Sequence, residues 1–174
     1  MKNNYKHSLH KLLITGLRDL YTAENDTAFI LPEMINAAGS AVLRKAFHDH
    51  LDNTEKNIKR LNRIFKLIER RPKADKRAAI RQIIKEGKYP ISLAVNHSTA
   101  RDLELISIAQ KMEHYSITAY VTLAELADEL LLDKVAKRLL RTYNKKNLTV
   151  NIYEDMVAKT LSSIISIPLV GAVA

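Results

Sequence analysis

The chain of 174 residues has no cysteine. That excludes disulfides, thiol chemistry and zinc–thiolate centres. Glycine and proline are scarce, four of each, which argues for long helices joined by few loops. Tryptophan is absent and aromatics make up only 6%. No run of about 18 apolar residues occurs, so no transmembrane span is expected. The opening segment, MKNNYKHSLHKLLITGLRDLY, holds neither a continuous apolar stretch nor a small-residue cleavage site. No signal peptide is read there, and a cytoplasmic, reducing location is the expectation. Strand patterning is also missing: Leu148–Tyr153 carries β-branched residues, but its inward periodicity still favours helix. No Ser/His/Asp ordering, glycine-rich phosphate loop or His-Glu-x-x-His element is found.

What the chain does have is charge, amphipathic periodicity and misplaced acids. Its net charge of +9 is consistent with an anionic partner. Yet the basic residues, from Lys56, Lys59, Arg60, Arg63 and Lys66 to Arg81 and Lys85, are spread along helix faces with no interleaved aromatics. A solvated basic face is expected rather than a nucleic-acid partner. Apolar residues recur at steps of three and four, the spacing that stays on one helical face. The pattern predicts helices over about Ser8–Ala38, Ala41–Glu69, Ala74–Lys85, Thr99–Leu131 and Lys134–Ser163. Pro32 should bend the first, and Gly39-Ser40 ends it. Ser40 is suited to cap the second, which Pro72 should stop, and Gly87-Lys88-Tyr89-Pro90 reads as a turn. Thr99 with Asp102 resembles a capping box. Four long helices with short connections make an all-α antiparallel bundle with one additional short helix. Residues 1–163 form one domain in this reading, and 164–174 an uncharged apolar tail.

Two carboxylates sit where leucines belong. The first helix presents Leu13, Leu17, Leu20, Glu24, Ala28, Leu31 and Ile35 on one face. A later one presents Ile106, Ala109, Glu113, Ile117, Tyr120 and Ala124. An unpaired buried carboxylate costs several kcal/mol or stays protonated. Glu24 and Glu113 therefore call for a shared buried partner, either a metal or a cationic side chain.

The segments Leu20-Tyr21-x-Ala23-Glu24, Ala46-Phe47-x-x-His50-Leu51 and Arg101-Asp102-x-x-Leu105-Ile106-x-x-Ala109-Gln110-x-x-Glu113-His114-Tyr115-x-Ile117-x-x-Tyr120 resemble the YciE/YciF family of ferritin-like bacterial stress-associated proteins. The similarity runs over about residues 9–160, and its most specific part is the Glu-His-Tyr block. The resemblance implies a ferritin-like bundle, usually a homodimer, with a dinuclear site of carboxylates and histidine on facing helices. Ferroxidase or peroxide-handling activity is often supposed for such proteins.

Carried over position by position, the implied ligand set is incomplete. Glu24 and Glu113 match the family's acids. The family's acid and histidine on the second helix fall on Asn53 and Asn57 here, and its two acids on the last helix fall on Thr142 and Lys146. Neutral amides are poor anchors for iron or manganese. A protonated lysine cannot ligate and repels a dication. The expectation is a degenerate site without a metal, with Lys146 between Glu24 and Glu113 and with His50, Asn53 and Asn57 completing hydrogen bonds. No cofactor is expected in that reading; iron or manganese bound through Glu24 and Glu113 is the alternative, and a basic DNA-protecting protein a further one. Tyr21 and Tyr120 lie near the acids and are expected to bond them. His48, Asp52 and Glu55 read as a solvated face, His114 as a boundary hydrogen-bonding residue, and His7 and His10 as surface residues. The tail Ile164–Ala174 packs on the bundle or docks a protein partner.

Overall fold

The computed structural model describes residues 2–73, 79–92 and 98–165. They form α1 (Lys2–Ala37), α2 (Ala41–Leu67), α3 (Ile80–Ser92), α4 (Thr99–Glu129) and α5 (Asp133–Ile165). Among the described residues no strand occurs and no helix is long and apolar enough to cross a membrane. Residues 166–174, most of the expected tail, lie outside them, as do most of the residues that begin the expected short helix.

α1 packs on α2 and α4, α5 packs on α4 and α2, and the four long helices close a ring. Contacts between α1 and α4 pair Gly16 with Leu123, Thr27 with Met112 and Ala37 with Arg101. The two helices are therefore antiparallel. α2 follows α1, and α5 follows α4, through tight turns. The bundle thus runs up, down, down, up, with α3 in the connection between α2 and α4. Gly16 marks a close approach of α1 to α4: a Cβ there would lie 2.6 Å from Leu123 Cδ2, so that side chain would have to shift.

Helix ends are fixed locally and across the chain. The Ser40 hydroxyl accepts from Leu43 N at 3.1 Å and caps α2 as expected. α4 is capped by Ser98, which accepts from Arg101 N at 3.2 Å. Asp102 does not complete a box with Thr99. Its two oxygens accept from Gly39 N at 2.7 Å and Ser40 N at 3.0 Å, because the start of α2 offers unpaired N–H groups and positive dipole. α1 has no basic residue in its last turn; Arg44 and Arg101 supply that charge, donating to the carbonyls of Ala38 and Ala37.

The structure differs from the sequence reading at several boundaries. α1 runs through Pro32 as expected, with the ring exposed while Ile30, Leu31, Met34 and Ile35 pack on either side, and the differences come later in the chain. α2 stops at Leu67, before Pro72. Arg70 N bonds Phe65 O and Glu69 N bonds Lys66 O around Glu69 at φ 53°, a left-handed closure that uses up the last carbonyls. The expected turn at Gly87–Pro90 is instead the body of α3. Gly87 lies so close to Ile108 that an added Cβ would be 2.8 Å from its Cγ2, so packing on α4 keeps this segment helical. Pro90 sits in the final turn of α3.

The interior is layered. One apolar cluster joins Ile30, Leu31, Met34, Leu43, Phe47, Leu105 and Ala109 near the α1–α2 turn. A second joins Leu13, Leu17, Leu20, Leu61, Phe65, Leu123 and Leu139 at the opposite end. Between them every long helix turns polar on its buried face: Glu24 on α1, His50, Thr54 and Asn57 on α2, Glu113 on α4, and Thr142 and Lys146 on α5.

Candidate functional site

Each side chain of the middle layer is delivered by a stripe with helical spacing. On α5 the buried positions are Val135, Ala136, Leu139, Thr142, Lys146, Val150 and Tyr153, and from Leu139 onward they step by three and four, which fixes where Lys146 points. Its Nζ lies 3.1 Å from Glu24 Oε1, 3.1 Å from Glu113 Oε2 and 3.2 Å from Glu113 Oε1. The ammonium thus joins α1, α4 and α5 at the bundle centre, with Nζ 5.9 Å from the centroid of the Tyr120 ring.

Glu113 is the better-served acid. His50 Nε2 bonds its Oε1. In the neutral ring Nε2–H donates to that carboxylate and Nδ1 accepts from the Tyr153 hydroxyl at 2.8 Å. Glu24 has a thinner shell: Asn57 Nδ2 donates to its Oε2 over 3.5 Å, and Asn57 Oδ1 accepts from Arg60 Nη1 at 2.6 Å. The electrostatics follow this asymmetry. Burial pushes the Glu113 carboxyl up, but Lys146 and then His50 outweigh it and bring the pKa to about 2. For Glu24, burial is the strongest influence and Lys146 does not overcome it, so its pKa is raised. Burial disfavours the Lys146 ammonium, yet Glu113 and Glu24 together raise its pKa above the ordinary value. The arrangement is a tight Lys146–Glu113 ion pair, and of the two acids Glu24 is the one that more readily holds a proton. Burial, and then the nearby acids, keep the Tyr120 and Tyr153 hydroxyls protonated.

Among the residues singled out in sequence, Glu24, Glu113, Lys146, His50 and Asn57 come together, and Tyr120 lies beside them. Thr142 is on the same buried stripe, but its hydroxyl donates to Arg138 O of its own helix at 3.3 Å. Asn53 does not join. It is exposed, because the inward face of α2 runs Phe47, His50, Thr54, Asn57 and Leu61 and puts Thr54 where Asn53 was expected. Tyr21 meets no acid; its ring packs edge-on against Phe65 at 5.9 Å. His114 is exposed rather than at a boundary, and His48, Asp52 and Glu55 are exposed as expected. Tyr153 went unnoticed in the sequence; its signal is its place one heptad after Lys146 on the α5 stripe. Among the described residues, no three His, Asp or Glu side chains are grouped as metal ligands.

The chain matches the family model described as "Domain of unknown function (DUF892)" over residues 8–162. It is 33% identical to Protein YciF of Escherichia coli (strain K12) over 143 residues, 82% of this chain and 86% of that protein. The crystal structure of the E. coli stress protein YciF superposes with a TM-score of 0.83 at 31% identity, covering 88% of this chain and 97% of the chain in that crystal structure. The structure of YcfI from Rhodopseudomonas palustris, whose description proposes a structural role, gives a TM-score of 0.79 at 32% identity over 84% of this chain and 92% of its own. The chain belongs to the DUF892 family, together with the stress protein YciF.

Proposed function

We propose that this chain is a non-catalytic binding or structural member of a ferritin-like stress-protein family, in which Lys146 takes the place of a dinuclear metal centre. The observation that carries the reading is the ammonium 3.1 Å from both Glu24 and Glu113. The connectivity supports the ferritin-like part, since bundles with one long crossover run up, down, down, up. The donor chemistry supports the rest. A dinuclear iron or manganese site needs several anionic oxygens and imidazoles. Here both carboxylates already face the Lys146 ammonium and His50 already bonds Glu113, and Asn57 and Thr142 add only neutral oxygen. The residues present do not fit two dications. The competing reading, an oxidoreductase holding an ion through Glu24, Glu113 and His50, requires Lys146 to lose its proton or leave, and the two acids act against that loss.

Metal analysis tests the choice directly. Protein produced in iron- and manganese-supplemented medium is expected to hold well below one ion per chain. Lys146→Glu, which replaces the cation with a third carboxylate, is expected to raise that content. Near two irons per wild-type chain with ferroxidase turnover would overturn the proposal. The same reading includes a homodimer in the cytoplasm, with the tail of residues 164–174 as a docking segment for a protein partner. Deleting the tail should alter either the oligomeric state or the recovered partner. A DNA-protecting role is the weaker alternative, tested by a salt-dependent mobility shift.

A further inference from the structure

A second site lies away from the polar layer, where the N-terminal half of α1 passes the end of α2 and the α4–α5 turn. A cavity of about 720 Å³ opens there, within the size range of small-molecule sites. Leu13, Ile14, Leu67, Ile68 and Leu132 give it an apolar wall. Lys11 and Arg18 on α1 and Arg70 after α2 surround it, with His7 and His10 nearby and Glu69 as its one carboxylate. Three fixed cations against one acid make the cavity a positive field over an apolar floor.

Arg18 adds an independent sign. Its Nε is buried and has no hydrogen-bond partner among the described residues. A buried guanidinium donor left unpaired is unfavourable, and native structures seldom keep one without a use. The adjacent backbone is specialised too. Glu69 holds a left-handed conformation at φ 53°, and Arg70 Nη1 donates to the Glu69 carbonyl at 3.2 Å, so the rim is fixed by the closure of α2.

We infer that this cavity binds a small amphipathic anion: an aliphatic or aromatic body against the leucine and isoleucine wall, with a carboxylate or phosphate head accepted by Arg18 and rimmed by Lys11 and Arg70. Guanidinium groups match both heads through paired N–H donors. A nucleic-acid strand fits less well, because the walls are apolar and the cavity is a concave pocket rather than a track along the surface. The site shares no residue with the Lys146 centre, so its test is independent of the proposed function.

Isothermal titration of the full-length protein at low ionic strength provides that test, with octanoate, octyl phosphate, octanol and inorganic phosphate as probes. Saturable binding of octanoate or octyl phosphate near one per chain is expected, and the better of the two names the head group. Octanol and inorganic phosphate should each bind at least about tenfold more weakly, since each lacks half of the recognised chemistry. Arg18→Gln should weaken binding by about tenfold or more, the scale of one charge-assisted contact, with the melting temperature held. If that variant unfolds, the exposed-rim double variant Lys11→Gln/Arg70→Gln takes its place and should weaken binding by a similar factor. Absence of saturable binding, equal binding of octanol, competition by inorganic phosphate as strong as by octyl phosphate, or affinity unchanged in the folded variants would each overturn the assignment.

Discussion

The polar layer at the bundle centre and the leucine layer beside it are equally buried, but they hold the four helices together in opposite ways. Leu13, Leu17, Leu20, Leu61 and Leu139 contribute through area alone, so each contribution is local and roughly additive. Glu24, Lys146, Glu113 and His50 contribute only as a set: each is favourable because the others are there. The largest expected effect breaks that set. Lys146→Met leaves two buried acids without their cation and should lower the unfolding free energy by about 3–5 kcal/mol at neutral pH. Adding Glu24→Gln and Glu113→Gln to it should recover most of the loss, because the charges that needed the lysine are gone. Urea denaturation of the single and triple variants measures both. A single variant within about 1 kcal/mol of wild type would show that the centre is not a coupled unit.

The apolar layer should respond differently. Leu17→Ala removes a fully buried side chain and is expected to cost about 2–5 kcal/mol. That loss should be the same at any pH where the protein stays folded, and it should add to the loss of Lys146→Met only if the layers are independent. The polar layer, by contrast, titrates. Glu113 is held at about 2 against an ordinary 4.5. It therefore stabilises the fold fully above about pH 4.5, and up to about 3 kcal/mol is lost as the pH falls toward 2. Glu24 has the opposite sign: its raised pKa means that protonation favours the folded form, a gain made as the pH falls toward the ordinary 4.5 and complete below it, on the other side of 4.5 from the Glu113 loss. Glu24→Gln should remove the gain made above about pH 4.5, and Glu113→Gln should flatten the acid slope below it. The Lys146 contribution has a raised pKa, so it is complete below about pH 10.5 and is lost only as the pH rises through its folded value. Stability measured from pH 2 to 11 in these variants separates the three groups, and an acid slope unchanged in Glu113→Gln would remove Glu113 from the account.

This contrast also explains what was legible in the sequence. Glu24 and Glu113 stood out because a carboxylate interrupts a stripe of leucine and isoleucine, and a strict helical period over six or seven positions fixes its direction. Lys146 was legible through the ligand positions that the family resemblance implies, and the distances place it beside both acids. Asn53 failed because a single misassigned step on α2 rotates a side chain off the inward stripe; Phe47, His50, Thr54 and Asn57 define that stripe instead. Tyr21 failed because proximity along α1 says nothing about the rotation that sets it against Phe65. Gly87 and Pro90 misled for a tertiary reason: close packing on Ile108 makes a helix of two residues that locally signal a turn. The role of Asp102 was out of reach as well, since its partners Gly39 and Ser40 lie over 60 residues away.

The smallest expected effect belongs to neither layer and so calibrates both. Leu131 closes α4 in a left-handed conformation at φ 58°, with Leu131 N on Asp128 O and Leu132 N on Ala127 O. That closure ordinarily uses glycine, because a Cβ in this conformation crowds the following carbonyl by about 1–2 kcal/mol. Leu131 is 79% exposed, so little burial is lost when its side chain is removed. Glycine's greater freedom in the unfolded chain offsets part of the relief. Leu131→Gly should therefore raise stability by about 0.5–1 kcal/mol, equally in wild type and in Lys146→Met, and with no change across the acid range. Thermal melts of the two pairs decide it. A gain that vanished in Lys146→Met would mean that the α4–α5 turn is coupled to the central charges, and that the bundle's layers are less separate than their packing suggests.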